Sequence, residues 1–198
     1  MNTLDTDVFA TRTAAAAADE QFIRRWSPRA FSGQALSEAD VLTLIEAARW
    51  SPSCFNSQPW RFIYATAGST EWDPLFGLLM DMNQVWAAKA GALLAVVAKT
   101  TFDSGDPAPT HAFDTGSAWM ALALQAQSMG FASHAMWGFH HDQAPTVLGL
   151  PDDYAVQAMV AVGYPGSIAD LPEKYQAREV PSPRKPLQEI AMPGRFQE

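Results

Sequence analysis

Arg24, Arg25 and Arg29 fall within six residues of one another around Ser27, in a chain that has 13 Lys and Arg residues and a net charge of −8. Guanidinium forks beside a serine hydroxyl suit a phosphate, which they bind through charge-assisted, often bidentate hydrogen bonds. The competing account is a solvated helix end, where arginine favours the negative pole of the helix dipole. A second basic pair, Arg184-Lys185, lies far along the chain and could be brought to the same anion. A different chemistry is available at Ser51–Trp60, where three serines, two prolines, Asn56 and Gln58 occur without any charged residue. Short polar side chains and free backbone groups suit edge-on hydrogen bonding to a flat heterocycle, and do not suit a metal or a proton-transfer pair. Read on its own, the same stretch is a stiff surface turn.

Other chemistries find little support. His134, His140 and His141 follow no standard metal-ligand spacing, and Cys54 is the only thiol, so no metal is expected. Nothing basic adjoins Cys54 in sequence, which favours a packed, inert thiol over a reactive one. There is no glycine-rich phosphate loop and no nucleophile or paired-acid motif. The acidic balance argues against nucleic acid and against an anionic membrane surface. The apolar run Ala90–Ala98 is far shorter than a membrane span. Asp5 and Asp7 at the start, with a weakly apolar alanine run after them, do not look like a secretory signal. A lone cysteine fits a reducing compartment, so the expectation is a cytoplasmic protein.

These residues need elements to position them. With 198 residues, 48% of them hydrophobic, the expectation is one domain over 1–198, with 1–12 a loose lead-in and 164–198 an extended tail. The alanine-rich stretch predicts a helix over Thr13–Trp26, ended by Pro28. Ser37 with Asp40 three residues on gives a capping-box-like start, weaker than with Glu, for a helix over 38–49, in which Val41, Leu44, Ile45 and Ala48 recur at helical spacing. A strand follows the polar loop at Arg61–Ala65, then a helix at Asp73–Trp86, then a strand at Ala92–Lys99 whose unbroken apolar character implies burial on both faces. Residues 102–110 read as a loop. A long helix runs from about Asp114 to Gly130, a short one lies between Asp142 and Gly149, and a final strand carries Val156, Ala158, Val160 and Val162 on one face. The six prolines after Gly163 predict a tail that wraps over its own or a partner's surface.

Taken together, Arg25-Trp26-Ser27-Pro28-Arg29-Ala30-Phe31 and the loop Ser51–Trp60 resemble the two signature segments of the FMN-dependent nitroreductase family. Asn83, Asp114 with Gly116, Gly163-Tyr164-Pro165 and Arg184-Lys185-Pro186-Leu187 follow in the family's order, so the similarity spans about residues 20–190. The resemblance implies an α+β fold with a central, mainly antiparallel sheet flanked by helices, in a domain-swapped, intertwined homodimer. It implies that Arg25, Ser27 and Arg29 meet the phosphate, ribityl chain and pyrimidine edge of FMN, with Arg184 and Lys185 closing on the phosphate. Pro52, Ser53, Cys54 and Asn56 would reach the flavin of the other subunit, and Asn83 would face the isoalloxazine. Met136, Trp137 and Gly138 would lie against the ring, with a backbone N–H near flavin N5. Cys54 departs from the family, which commonly has serine there.

The activity so implied is hydride transfer from NADH or NADPH to FMN, then from FMN to a small-molecule acceptor such as a nitroaromatic or quinone. It requires no catalytic side chain beyond electrostatic support, for which Arg29 is the candidate. The same residues would also serve a non-catalytic flavin-storage module, a different flavin reaction such as reductive dehalogenation, or a cofactor-free dimeric interaction protein. Residues 66–86 and 102–110 are expected to shape the acceptor pocket.

Overall fold

The computed structural model describes residues 6–196. Four strands form one antiparallel sheet in the order β1-β2-β4-β3: β1 is Trp60–Thr66, β2 Ala92–Lys99, β3 Ala132–Met136 and β4 Tyr154–Gly163. The register pairs Phe62 with Val96, Leu94 with Val160, and Ala135 with Val160. β2 sits inside the sheet, and its first seven residues are buried. Its odd and even positions feed two separate cores, because successive strand side chains point to opposite faces. Leu93, Ala95 and Val97 pack with Phe31, Leu79, Trp86 and Phe139, while Leu94 and Val96 pack with Val41, Leu44 and Leu122.

The second face is covered by α2 (Glu38–Arg49) and α5 (His111–Ser128). Ser37 and Asp40 cap α2 reciprocally, and its buried residues are Val41, Leu44 and Ala48. α5 begins three residues ahead of the expected Asp114, and Gly130 follows its end at φ 76°, a conformation that costs glycine little. In β4 a bulge between the pairs of Val96 and Val97 inserts Gln157. The expected shared face of Val156, Val160 and Val162 therefore breaks, and Val156 joins Met159 and Ala161 in the other core.

Three expectations are corrected. The helix over Thr13–Trp26 reduces to α1, Glu20–Arg24, which Asp19 caps by accepting from the Gln21 N–H. Residues 13–20 are exposed, and an alanine run without a face to bury cannot hold so short a helix. The helix over Asp73–Trp86 is two, α3 (Trp72–Gly77) and α4 (Asp81–Ala87). Between them Leu79 bridges Phe139, the Met80 N–H donates to Gly138 O, and Leu78 O accepts from the His140 N–H. The lead-in, of which residues 1–5 lie outside the described range, is anchored rather than loose: Val8 and Arg12 are buried.

Strand β3 escaped prediction, because Ala-Ser-His-Ala-Met has no strand signature and forms by pairing with β4. The sixth helix, α6, is Ala144–Val147; after β4 the described chain forms α7 (Glu173–Gln176) and short 3-10 turns at Ile168–Asp170 and Leu187–Glu189. Tyr175 and Glu179 are buried against the body of the protein, and from Ser182 to Phe196 every residue except Met192 is exposed.

Candidate functional site: a basic cleft at one sheet edge

Beyond β3 the segment 25–29 meets the tail and encloses a cleft of about 500 Å³. Arg12, Arg25, Arg29, Arg178 and Arg184 line it, together with Ser27, His134 and the backbone around Ser182. Arg25 Nη1 donates to Ser27 Oγ at 3.4 Å, and the buried Arg25 Nε has no hydrogen-bond partner. An orphaned guanidinium N–H is costly, and an anion seated in the cleft would satisfy it. Burial lowers the proton affinity of Arg25, as does the neighbouring charge of Arg184. Arg12 is lowered by burial, Arg184 and Arg25. Arg29 is lowered by burial, with Glu179 opposing and Arg178 adding to the shift. Among the described residues only Arg29 of this set has a carboxylate beside it, Glu179 at 3.8 Å; Arg12 and Arg25 are crowded and poorly hydrated, a condition a phosphate would relieve.

Arg12 was not singled out in the sequence. Its Nη1 donates to Ile23 O at 2.7 Å and Arg25 O at 2.8 Å, and its Nε to Ser182 O at 2.9 Å. It thereby joins the lead-in, the end of α1 and the tail behind the cleft. Arg178 and Glu179 were also missed, since an Arg-Glu pair in a proline-rich tail looks like any solvated pair. His134 projects from β3 to the same wall. A carbonyl can only accept, so its Nδ1–H donates to Pro28 O at 3.0 Å. Burial, with Arg29 and Arg25 nearby, holds the imidazole neutral down to about 4, against the favourable carbonyls of Pro28 and Ser27. Of the tail pair, Arg184 lines the cleft, and Lys185 lines only an adjoining groove with Thr13, Phe22 and Leu187.

Two residues past His134, β3 ends at Met136 and leads into Trp137-Gly138. Asn83 Nδ2 donates to Gly138 O at 2.9 Å, so Asn83 and this segment meet. A Cβ on Gly138 would stand 2.6 Å from Asn83 Nδ2, which explains glycine there. Trp137 is 71% exposed, while its ring contacts His141 at 4.2 Å and Phe139 at 6.0 Å between centroids.

Pro52, Ser53, Cys54 and Asn56 are not brought to the cleft. Their loop precedes β1, at the opposite edge of the sheet from β3. Three inter-strand spacings of about 4.8 Å put at least about 14 Å between the two edges. The loop is tied to its own side: Cys54 N–H donates to Asp114 Oδ2 at 3.2 Å, and Gln58 N–H to Ser53 Oγ at 2.9 Å. Phe55, Asn56 and Gln58 all have positive φ, at 52°, 55° and 47°. Phe55 is 91% exposed.

An α+β protein with antiparallel strands, a cationic cleft of about 500 Å³ at one edge and an exposed polar loop at the other defines the class. The profile of the Nitroreductase family matches residues 23–85 and 68–164, and the chain belongs to that family. An oxidoreductase containing FMN is 42% identical and superposes with a TM-score of 0.91, covering 94% of this chain and 96% of that one. An NADH dehydrogenase of Thermus thermophilus is 26% identical over 86% of this chain and 92% of its own length. A nitroreductase family protein of Streptococcus pneumoniae, 22% identical, shares the fold with a TM-score of 0.69 over 87% of this chain and 98% of that one. Membership makes the chain one of a family of oxidoreductases. Among the described residues no helix is long and apolar enough to cross a membrane.

Proposed function

We propose that this chain is an FMN-dependent oxidoreductase that takes hydride from NADH or NADPH and reduces nitroaromatic, quinone or similar electron-poor acceptors. The observation that carries the reading is the buried, unpartnered Arg25 Nε inside a cleft of five arginines. The kinship with an oxidoreductase containing FMN supports it, as does that with an NADH dehydrogenase. FMN, when bound, supplies the redox chemistry.

The chain's own residues supply position and charge. Arg25, Ser27 and Arg184 hold the phosphate, and Arg12 keeps the segment carrying Arg25 in place through two carbonyls. Arg29, with its guanidinium partly exposed, offers positive charge to the flavin's pyrimidine edge. Asn83 fixes Gly138, so that the 136–138 backbone presents a defined surface to the ring. His134 stays neutral at neutral pH and adds no further charge to an already cationic cleft.

The loop 52–56 completes the site of a second copy in an intertwined homodimer. It lies too far from the cleft of its own chain to do so there, and its exposed Phe55 and left-handed residues suit a surface shaped for another molecule. The test is the absorbance of the purified protein. We expect flavin bands that NADH or NADPH bleaches anaerobically and that a quinone or nitroaromatic restores. Protein that stays colourless after incubation with FMN sinks the reading.

A further inference from the structure

Glu179 lies between the cleft-lining residues Arg178 and Val180, behind the wall of the cleft, and its side chain is 0% exposed. Oε1 accepts two backbone N–H groups, from Arg29 at 2.6 Å and from Ala30 at 2.8 Å. Oε2 accepts no hydrogen bond and lies 3.8 Å from Arg29 Nη1. One carboxyl group from the tail therefore binds both ends of a single residue, its main chain and its guanidinium. The two attachments differ in kind. The main chain is pinned by short bonds, whereas the guanidinium is drawn by charge at a distance too long for a hydrogen bond. A bidentate pair would have occupied two of the five guanidinium N–H donors of Arg29; this arrangement leaves them to a ligand.

We infer that Glu179 is a positioning residue for the basic cleft, holding the 27–30 segment and Arg29 in the geometry that receives FMN. The inference rests on the functional reading above. It also accounts for a carboxylate at the place where it should do harm, since a negative charge beside an anion site weakens anion binding. Burial raises the proton affinity of Glu179, and the Ala30 N–H, the Arg29 N–H and the Arg29 charge oppose that shift. A buried carboxylate retained at that cost has its reason in the two N–H groups it holds. Glu179 also fastens the tail, whose next residues Ser182 and Arg184 form the facing wall of the cleft.

Charge and position predict opposite signs, and that makes the test clean. The measurement is FMN affinity of the apoprotein by flavin fluorescence, with circular dichroism and thermal melting to confirm folding. If Glu179 only contributes charge, Glu179→Ala and Glu179→Gln both tighten FMN by similar factors. Under the positioning role Glu179→Ala weakens FMN by roughly tenfold or more, despite the added positive charge. Glu179→Gln keeps an oxygen for the two N–H groups and stays within about threefold of wild type. Glu179→Asp keeps the charge and loses the reach, so it weakens FMN as Ala does, and it serves if the alanine variant does not fold. Aspartate binding like wild type, or alanine binding as tightly as wild type, overturns the inference. Wild-type protein that binds no FMN defeats the functional reading instead.

Discussion

The two edges of the sheet solve different problems. Beyond β3, charged groups are withdrawn from water and braced by their own chain: Arg12 on three carbonyls, His134 on Pro28 O, Glu179 on two backbone N–H groups. Before β1, a loop without charge stands in solvent, with Phe55 exposed and three non-glycine residues in left-handed conformation. The cleft gathers five arginines, and among the described residues its lining includes no carboxylate. The loop is held in a strained shape, with Phe55 edge-on to Phe102 at 6.0 Å between centroids and the Cys54 N–H on Asp114, while most of the Phe55 ring stays in solvent. Strain of this kind, on the order of 1–3 kcal/mol per residue, persists where surroundings enforce it and function benefits. The contrast fits the proposal that one edge is a site and the other completes the site of a second copy.

The comparison breaks first at Arg25. Replacing it with alanine removes the guanidinium that has a vacant buried donor, and charged hydrogen bonds contribute about 1.5–3 kcal/mol each. Two or more of them lost to a phosphate weaken FMN by roughly a hundredfold or more. Asn56→Asp in the loop should weaken it by only about tenfold, because one uncharged contact is exchanged for a carboxylate. Equal losses at both positions would show that the division into a phosphate half and a ring half is wrong. Unchanged affinity in Asn56→Asp would remove the loop from the site.

The next effect concerns pH and belongs to the cleft alone. His134 titrates near 4 in the folded protein and near 6.5 when unfolded, so between these values the unfolded chain binds more protons. Its contribution to stability is complete above about 6.5 and is lost as pH falls toward 4. The loss is roughly 1–3 kcal/mol, allowing for partial solvent access. His134→Gln should flatten the dependence of the apoprotein's melting temperature over that interval. A slope identical to wild type would place the acid sensitivity elsewhere.

How much of this was legible in the sequence depends on which physics decided each element. The helix at 38–49 was readable because a capping box and an apolar face both lie within it. β2 was readable because burial on both faces leaves no polar position. The Thr13–Trp26 helix failed because propensity without packing is weak, and Asp73–Trp86 failed because a contact with residues 138–140, remote in sequence, broke it. At the site, Arg25, Ser27 and Arg29 were visible as a local cluster. Arg12 and Glu179 were not: Glu179 reaches Arg29 and Ala30 across 150 and 149 residues, and Arg12 reaches Ser182 across 170 and Ile23 and Arg25 across an irregular segment, none of which local spacing encodes.

The smallest effect tests the loop against its own chain. Phe55 has φ 52°, a region where a side chain is penalised and glycine is not. Phe55→Gly should therefore leave the monomer's stability unchanged or raise it by up to about 1 kcal/mol, because a 91% exposed ring contributes little packing to its own fold. If the ring serves a second copy, the same substitution weakens self-association, visible as a higher dissociation constant in sedimentation equilibrium. The two readouts then move in opposite directions, stability measured at low concentration rising while assembly falls. Should both stay at wild-type values, the left-handed turn is a local preference of this chain, and the loop loses its claim to a partner.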